Sequence, residues 1–295
     1  MSPVGIVGVG AMGSGVAHAL LARGFEVAVH DIVPERQAIV VTAGAIACTS
    51  AAEVARRAPL VITLVVDAAQ TRDVLFGASG AAQALTPAST VMMCSTIAPG
   101  DSEAIARELA ALGVPMLDAP ISGGPARAHD GALSVMASGS AAAFERCAAV
   151  LEAMAAKRFR VGEAPGDGSR MKVVNNMLAA ANLVAGCEAL ALAARLGLDL
   201  RQVREVVNAS SGASWIFTDR MARALEGDYT PHAAARVLTK DVGLFVDAAH
   251  AAGVSAPMAE CARRMFLDTV ARGYGEEDDA AVLKRYADDY GVELG

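Results

Sequence analysis

Lys172 and Asn176 have residue types and a spacing suited to proton transfer at the start of an apolar helix. They follow the glycines Gly166 and Gly168, and an apolar helical pattern runs on to Gly197, where a glycine is expected to end the helix. Residues four apart on a helix share one face, and a lone ammonium group is costly to bury without a role. Spacing alone leaves two interpretations open: a catalytic pair, or a lysine that reaches solvent beside a satisfied core amide.

A glycine-rich turn near the N-terminus suggests phosphate chemistry. A short apolar strand pattern at residues 4–7 leads directly into Gly8-Val9-Gly10-Ala11-Met12-Gly13, and a helical pattern at 16–21 and a second strand at 26–30 follow before Asp31. This order of strand, GxGxxG, helix, strand and acid is the dinucleotide-binding fingerprint. The glycines permit the tight turn, the approach of the pyrophosphate and close helix packing, while the helix N-terminus holds the anion.

Asp31 bears on which dinucleotide is preferred. Its carboxylate is expected to accept hydrogen bonds from the adenosine ribose hydroxyls and to repel a 2′-phosphate, which favours NAD over NADP. Arg36 lies close enough in sequence to soften that preference. The alternative is that Asp31 caps a turn or a helix, a common place for aspartate.

Polar residues also follow the later strand patterns of the first half. Strands at 60–66, 90–94, 115–120 and 133–137 alternate with helical or loop segments, which predicts a doubly wound, mostly parallel sheet. Ligands of such sheets bind beyond the carboxyl ends of the strands. The residues placed on that rim are Asp67, Thr96, Ser122, Gly123 and Gly124.

Ser122, Gly123 and Gly124 suggest an anion site of their own. Consecutive backbone N–H groups with glycine freedom form a concave nest that suits a carboxylate. The alternative is an ordinary turn after a strand.

The second half of the chain has a different pattern. After the helix that carries Lys172, helical patterns at 200–207, 221–225, 233–252 and 257–272 dominate. We therefore predict an α/β Rossmann domain followed by an all-α domain, joined by a long helix, with the domains at residues 1–163 and 164–295 and a joint at 160–168.

Three features of the helical half carry polar groups. Trp215, the only tryptophan, ends a polar loop that begins at residue 208. Lys240 and Asp241 form a charged pair within a helix, which without context is typical of a solvated or mutually paired couple. Residues 275–280 predict a turn and an acidic helix start, where carboxylates suit the helix dipole.

Composition excludes several classes of protein. The 295 residues carry a net charge of -7 without a basic cluster, which argues against a nucleic-acid or anionic-membrane partner. The five cysteines have neither CxxC pairs nor metal-ligand spacing, so no metal site is predicted and a reducing compartment is indicated. The opening lacks a basic n-region, and the uncharged span 76–100 is too polar for a membrane helix. We expect a soluble, cytoplasmic protein.

The pattern as a whole resembles the β-hydroxyacid dehydrogenase family, which includes 3-hydroxyisobutyrate dehydrogenase and tartronate semialdehyde reductase and is similar to 6-phosphogluconate dehydrogenase. Four blocks in the family's order carry the resemblance: Gly8 to Gly13, Asp118-Ala119-Pro120-Ile121-Ser122-Gly123-Gly124, Gly166 through Lys172 to Asn176, and Lys240-Asp241. Within the family the chain looks most like the L-threonate dehydrogenase branch, through the runs 64–70, 227–232 and 273–279.

The resemblance implies roles for individual residues. Lys172 would be the general acid and base, with Asn176 orienting it and the substrate oxygen. A proton acceptor must be uncharged before it takes the proton, and burial in an apolar joint lowers the pKa of a lysine toward that state. The implied substrate contacts are Ser122, Gly123, Gly124, Lys240 and Trp215. The implied NAD contacts are Gly8, Gly10, Ala11, Met12, Gly13, Asp31, Val65, Val66, Thr96 and Lys240. The family also implies a homodimer or homotetramer that buries the helical domains.

The substrate and the activity each have alternatives. Members of the threonate branch carry His and Gln where this chain has Asn175 and Asn176, a pair that looks like the hydroxyisobutyrate type. A 3-hydroxyisobutyrate dehydrogenase or a tartronate semialdehyde (2-hydroxy-3-oxopropionate) reductase would keep the same catalytic residues. Imine reductases usually replace the lysine, and 6-phosphogluconate dehydrogenases have a larger helical domain. A catalytically silent NAD-binding protein is the alternative from a different class.

Overall fold

In a computed structural model that describes residues 2–293, the first part of the chain folds around a nine-stranded sheet. The strands are β1 (Val4–Val7), β2 (Val27–His30), β3 (Ile46–Ala47), β4 (Leu60–Thr63), β5 (Thr90–Met93), β6 (Met116–Asp118), β7 (Ile121–Ser122), β8 (Leu133–Ser138) and β9 (Ala155–Gly162). Their order is β3-β2-β1-β4-β5-β6-β8-β7, with β9 also paired to β8. The strands from β3 to β6 pair in parallel, whereas β6 and β7 run antiparallel to β8. The predicted doubly wound, mostly parallel sheet is confirmed.

Helices cover both faces of this sheet. They are α1 (Ala11–Ala22), α2 (Pro34–Thr42), α3 (Ala51–Arg57), α4 (Ala68–Phe76), α5 (Pro99–Ala111), α6 (Gly124–His129) and α7 (Ala141–Met154), with a 3₁₀ turn at Ala81–Gln83. Because side chains alternate along a strand, Ile6 and Ile62 belong to the core that includes Leu20 of α1, and Val7 and Val61 belong to the core on the other face.

The structure corrects the sequence prediction at the edge of the sheet. Residues 155–162 form β9, although 160–168 was predicted as a joint and no strand was expected there. Lys157, Arg158 and Arg160 are exposed along β9, so this strand lacks an apolar run that would reveal it. Charged side chains are typical of edge strands, where they oppose pairing with another chain.

Two strand ends also differ from the prediction. β4 ends at Thr63, so Val65 and Val66 lie in the loop that follows it. The run predicted as one strand at 115–120 ends at Asp118, and the chain then resumes pairing as β7. Pro120 lies between the two, where its missing N–H prevents a continuous ladder.

The second part of the chain is helical. Its helices are α8 (Asp167–Arg195), α9 (Leu200–Asn208), α10 (Trp215–Ala224), α11 (Ala235–Ala251), α12 (Pro257–Thr269) and α13 (Val282–Tyr290), with short helical turns at Val270–Tyr274 and Asp279–Ala281. Leu183, Leu190, Met221 and Phe266 are buried in a core of their own. Packing divides the chain between Lys172 and Val173, inside α8. The predicted all-α second part is confirmed, and the boundary at 163/164 stays a prediction.

The acidic segment at 275–280 contains a helix start, as predicted, with Asp278 as the N-cap of the 3₁₀ turn that leads into α13. Asp278 and Asp279 are both buried, which the sequence did not indicate. Asp279 accepts from Arg220 Nε at 2.5 Å, and Asp278 accepts from Arg223 Nη2 at 2.9 Å. These carboxylates therefore join the turn at 278–281 to α10 through buried ion pairs.

Candidate functional site

The turn between β1 and α1 has the geometry of a phosphate cradle. Gly8 has a φ of 92°, and a Cβ there would lie 2.7 Å from the carbonyl oxygen of Leu64. A Cβ on Gly13 would lie 2.0 Å from the carbonyl oxygen of Gly8, so α1 begins in direct contact with the turn. A Cβ on Gly10 would meet no atom within 4 Å, which leaves open space at the helix N-terminus. Ala11 and Met12 form the first turn of α1, whose N–H groups suit a pyrophosphate.

Asp31 ties this turn to the start of α2. Its Oδ2 accepts from the Val9 N–H at 2.8 Å, and its Oδ1 accepts from the Val33 N–H at 2.9 Å. Asp31 therefore organises two turns, as the alternative interpretation expected. Its half-buried position at the end of β2 keeps it beside the glycine turn, and the ribose contact stays a prediction.

The loops after β4 and β5 are joined beside the glycine turn. A Cβ on Gly8 would lie 2.9 Å from Val65 Cγ1, so the Val65 side chain borders this turn. The Val65 N–H donates to Ser95 Oγ at 3.2 Å, which links the loop after β4 to the residue before Thr96. Asp67 is the N-cap of α4 and accepts from the Gln70 N–H, so that rim residue has a structural role.

Ser122, Gly123 and Gly124 lie where β7 passes into α6. Ser122 is the last residue of β7, and Gly123 and Gly124 have φ values of 137° and 77°. Glycine adopts positive φ values without strain, so two consecutive glycines can both take this backbone conformation. The backbone thus has the freedom that the predicted anion nest requires, and its binding of a substrate carboxylate stays a prediction.

Lys172 and Asn176 lie on the buried face of α8. Each has 7 % of its surface exposed, and the same face continues through Ala180 and Leu183. The interpretation in which Lys172 extends into solvent is therefore wrong. Lysine is rarely buried to this extent unless its charge is paired, and a buried ionisable group in such a place is a candidate for proton transfer.

In the second unit, Asn176 belongs to a polar network on the apolar helices. Its Nδ2 donates to Asp241 Oδ2 at 2.7 Å, and its Oδ1 accepts from Asn175 Nδ2 at 3.1 Å. Lys240 Nζ donates to Asp241 Oδ1 at 2.6 Å. One buried carboxylate therefore holds two of the predicted site residues. The sequence predicted Lys240 and Asp241 as a charged pair but gave Asp241 no place in the site, because nothing in the sequence signals its contact with Asn176, 65 residues away.

Known proteins resemble this chain over almost its whole length. The family model described as the NAD binding domain of 6-phosphogluconate dehydrogenase matches residues 3–162, and the one described as NAD-binding of NADP-dependent 3-hydroxyisobutyrate dehydrogenase matches residues 166–286. The L-threonate dehydrogenase of Cupriavidus necator is 43% identical over 99% of this chain and 97% of its own length. The chain belongs to the β-hydroxyacid dehydrogenase family. The matches confirm the predicted fold and the predicted NAD-binding domain. They also confirm that the chain belongs to a group of NAD(P)-dependent hydroxyacid dehydrogenases.

Two further relatives of this β-hydroxyacid dehydrogenase family member cover almost its whole length. The L-threonate dehydrogenase of Escherichia coli strain K12 is 45% identical over 96% of this chain and 94% of its own length. The crystal structure of a 3-hydroxyisobutyrate dehydrogenase from Salmonella typhimurium matches with a TM-score of 0.91 at 43% identity, covering 97% of this chain and all of that one. The two names point to different substrates for similar chains.

Trp215 occupies a different local structure from the one predicted for this family member. It is the first residue of α10 rather than the end of a loop, and it is 46% exposed. Ser214 caps the helix by accepting from the Phe217 N–H at 3.3 Å. Because Ile216 and Phe217 are buried in the helical core, the cap and these two side chains together fix the helix end that carries Trp215. Its contact with substrate stays a prediction.

Residues 2–293 contain no group of three or more metal-ligating side chains that could hold an ion. The polar clusters in this family member pair acids with Arg, Lys or Asn instead.

Proposed function

We propose that this chain is an NAD-dependent dehydrogenase that oxidises the hydroxyl group of a small hydroxy acid, most favourably a four-carbon sugar acid such as L-threonate. The observation that carries the proposal is the enclosure of Lys172 on the same face of α8 as Asn176. Relatives named L-threonate dehydrogenase support the substrate, since two of them match nearly the whole chain at 43% and 45% identity.

Lys172 acts as the general acid and base in this proposal. Its neutral amine takes the proton of the substrate hydroxyl during oxidation and returns that proton during reduction. This role requires the neutral amine as the proton acceptor. NAD, when bound, supplies a nicotinamide ring that accepts the hydride from the substrate carbon.

Asn176 orients the reacting groups. Its Nδ2 is committed to Asp241, so its Oδ1 is the atom that accepts hydrogen bonds. This fixed amide orientation suits a residue that accepts a hydrogen bond from the Lys172 amine, because the single hydrogen of the substrate hydroxyl is the proton that the lysine takes. Ser122, Gly123 and Gly124 hold the substrate carboxylate in the proposal, and Lys240 and Trp215 complete the substrate pocket.

The cofactor residues of the proposal follow from the cradle at the start of α1. Gly8, Gly10, Ala11, Met12 and Gly13 hold the pyrophosphate, and Asp31 selects NAD against NADP. Val65, Val66, Thr96 and Lys240 supply the other contacts. The first domain of the proposal, residues 1–163, binds the cofactor, and residues 164–295 bind substrate and mediate assembly.

A homodimer or homotetramer formed through the helical domain is part of the proposal. Exposed apolar side chains on and near α8 support it, among them Leu192, Leu196 and Val206. By length and composition α8 could cross a membrane, a test that core helices of globular proteins also pass. Leu183, Leu190 and their neighbours are packed in the helical core, so we propose a cytoplasmic protein without membrane or nucleic-acid partners.

The test is NADH formation with L- and D-threonate, erythronate, 3-hydroxyisobutyrate and glycerate, and reduction of tartronate semialdehyde in the reverse direction. L-Threonate should lead, and NAD should exceed NADP. Turnover led by 3-hydroxyisobutyrate or tartronate semialdehyde would keep the mechanism and replace the substrate. NAD binding without turnover on any of these acids would favour the silent NAD-binding protein.

The Lys172→Ala variant tests the mechanism separately. Its turnover should fall on the order of 10²–10⁴-fold, as for loss of a general acid or base, while NAD affinity measured by calorimetry stays near the wild-type value. Equal loss of turnover and of NAD binding would identify Lys172 as a structural residue.

A further inference from the structure

Asp118 is a fully buried carboxylate that has no role in the mechanism above. It is the last residue of β6 and has 0% of its surface exposed. Burial raises the pKa of Asp118 above its ordinary value, and the hydrogen bonds from Ser169 and Gly166 oppose that rise. A carboxylate in such a place is costly unless donors surround it.

The donors that Asp118 accepts from belong to the start of α8. Its Oδ2 accepts from the Gly166 N–H at 2.7 Å and from the Ser169 N–H at 3.0 Å. Its Oδ1 accepts from the Ser169 hydroxyl at 3.0 Å. A residue of the sheet, about 50 positions earlier in the chain, thus caps the helix. A negative charge at a helix N-terminus also interacts favourably with the helix dipole.

Ser138 holds the same helical turn from the neighbouring strand. It is paired with Asp118 in the register of β6 and β8, and its Oγ accepts from the Gly168 N–H at 2.9 Å. A Cβ on Gly168 would lie 2.6 Å from the carbonyl oxygens of both Asp118 and Met136. The first turn of α8 therefore sits against two strand ends with no room to rotate or slide.

Lys172 follows this fixed turn directly. Ser169 and Lys172 are three residues apart, which is about 4.5 Å along the helix axis and about 60° around it. Both side chains are buried on the same face. A slip of the helix by one residue would turn Lys172 by about 100°, away from that face. The hydrogen bonds to Asp118 therefore help to fix the height and the direction at which residue 172 leaves the helix.

We infer that Asp118 is a positioning residue for Lys172, which it holds in its reactive setting by capping and orienting the first turn of α8. The inference rests on the proposed function only where it predicts a change in kcat. The competing interpretation is that Asp118 is a helix cap that contributes to stability alone. The two interpretations make different predictions for the folded enzyme. Only the positioning role predicts that the reactivity of Lys172 changes when Asp118 is replaced.

The kinetic test uses Asp118→Asn, with Asp199→Asn as the matched control. Asp199 caps α9 by accepting from the Arg201 and Gln202 N–H groups, so the control also weakens a helix cap but one that carries no predicted site residue. Asp118→Asn should lower kcat about 10- to 100-fold, as expected for a displaced catalytic group, with KM and NAD affinity within about threefold. In a Lys172→Ala background the same change should alter kcat by less than about twofold. A kcat near that of the control, or an equal loss in both backgrounds, would overturn the inference.

A labelling experiment gives a readout that does not depend on turnover. Folded wild type and Asp118→Asn are treated with limiting acetic anhydride, and acetylation of Lys172 is measured by peptide mass spectrometry relative to the exposed Lys157. The ratio should rise severalfold in Asp118→Asn and not in Asp199→Asn. An unchanged ratio would overturn the inference even if wild type oxidises none of the hydroxy acids, which would instead refute the proposed function.

Milder variants serve if Asp118→Asn does not fold. Ser169→Ala removes one hydroxyl donor to Asp118, and Ser138→Ala removes the acceptor of the Gly168 N–H. Each should raise Lys172 acetylation and lower kcat by a smaller factor, and wild-type values in both variants would overturn the inference.

Discussion

Asn176 and Lys240 share one carboxylate, since Asn176 Nδ2 and Lys240 Nζ lie 2.7 Å and 2.6 Å from the two oxygens of Asp241. Asp241 is a buried residue of α11, and its contact with Asn176 joins α11 to α8. Because a carboxylate only accepts hydrogen bonds, it forces the amide of Asn176 to present Nδ2 to it and Oδ1 elsewhere. Asp241 therefore decides which atom of Asn176 is available to reacting groups.

Replacement of Asp241 by Asn should disturb both partners at once. The new amide can accept from only one of them, and loss of a charge-assisted hydrogen bond removes about 1.5–3 kcal/mol. We expect kcat/KM to fall at least 10-fold while the circular dichroism spectrum is retained. Asp247→Asn is the control, because Asp247 lies on the same helix and is exposed. If the two variants have the same kcat/KM, Asp241 does not orient the site.

The dinucleotide-binding half was predictable because its signals are local. The strand, the glycine turn, the helix and the acid that define it lie within residues 4–31. Strands buried in a parallel sheet also appear in the sequence as apolar runs. β9 was missed for the opposite reason, since the exposed Lys157, Arg158 and Arg160 interrupt its apolar residues.

The connections around the lysine were not predictable from spacing. The contact of Asp118 with Ser169 spans 51 residues, and that of Asn176 with Asp241 spans 65. The helical spacing, which is local, made Lys172 and Asn176 candidates, and the family resemblance supplied their predicted roles. Which carboxylate caps α8 and which one orients Asn176 depends on tertiary packing.

Gly13 and Gly10 should respond differently to substitution by alanine. A Cβ at Gly13 would lie 2.0 Å from a backbone oxygen, so Gly13→Ala must displace α1. The free energy of unfolding should fall by about 1–3 kcal/mol, the range for overpacking. Gly10 has a φ of −63° and open space. Gly10→Ala should therefore keep the wild-type melting temperature but bind NAD at least 10-fold more weakly, because the methyl group occupies the approach of the pyrophosphate. Thermal denaturation and calorimetric NAD titration of both variants decide this. Wild-type NAD affinity in Gly10→Ala would place the pyrophosphate elsewhere.

Asp31→Asn should change both cofactor preference and stability. Each Asp31 oxygen accepts a backbone N–H, and an amide would point its own NH₂ group at one of these donors, at a cost of about 1–3 kcal/mol. Removing the charge also removes repulsion of a 2′-phosphate, so the ratio of kcat/KM for NAD to that for NADP should fall about 10-fold. Asp228→Asn is a suitable control, since Asp228 makes a similar turn contact with the Thr230 N–H. A preference ratio unchanged from wild type would leave Asp31 with only its turn-forming role.

Asp278 should make part of the stability of the helical unit depend on pH. Burial raises the pKa of this carboxyl, but the charge of Arg220 and the hydrogen bonds from His232 and Arg223 outweigh burial and hold it below the ordinary 3.8. A carboxyl group whose pKa is lower in the folded state contributes its full stabilisation at pH values above its unfolded-state pKa. That contribution is lost as the pH falls through the folded-state pKa.

Asp278→Asn should therefore lower the free energy of unfolding at pH 7 by about 3 kcal/mol, as expected when one partner of a buried ion pair is removed. The difference from wild type should shrink as the pH falls below 3.8. Urea denaturation of wild type, Asp278→Asn and the exposed-site control Asp247→Asn, from pH 7 down to pH 3, measures this directly. A difference that stays constant over that range would mean that Asp278 contributes through packing and hydrogen bonds rather than through its charge.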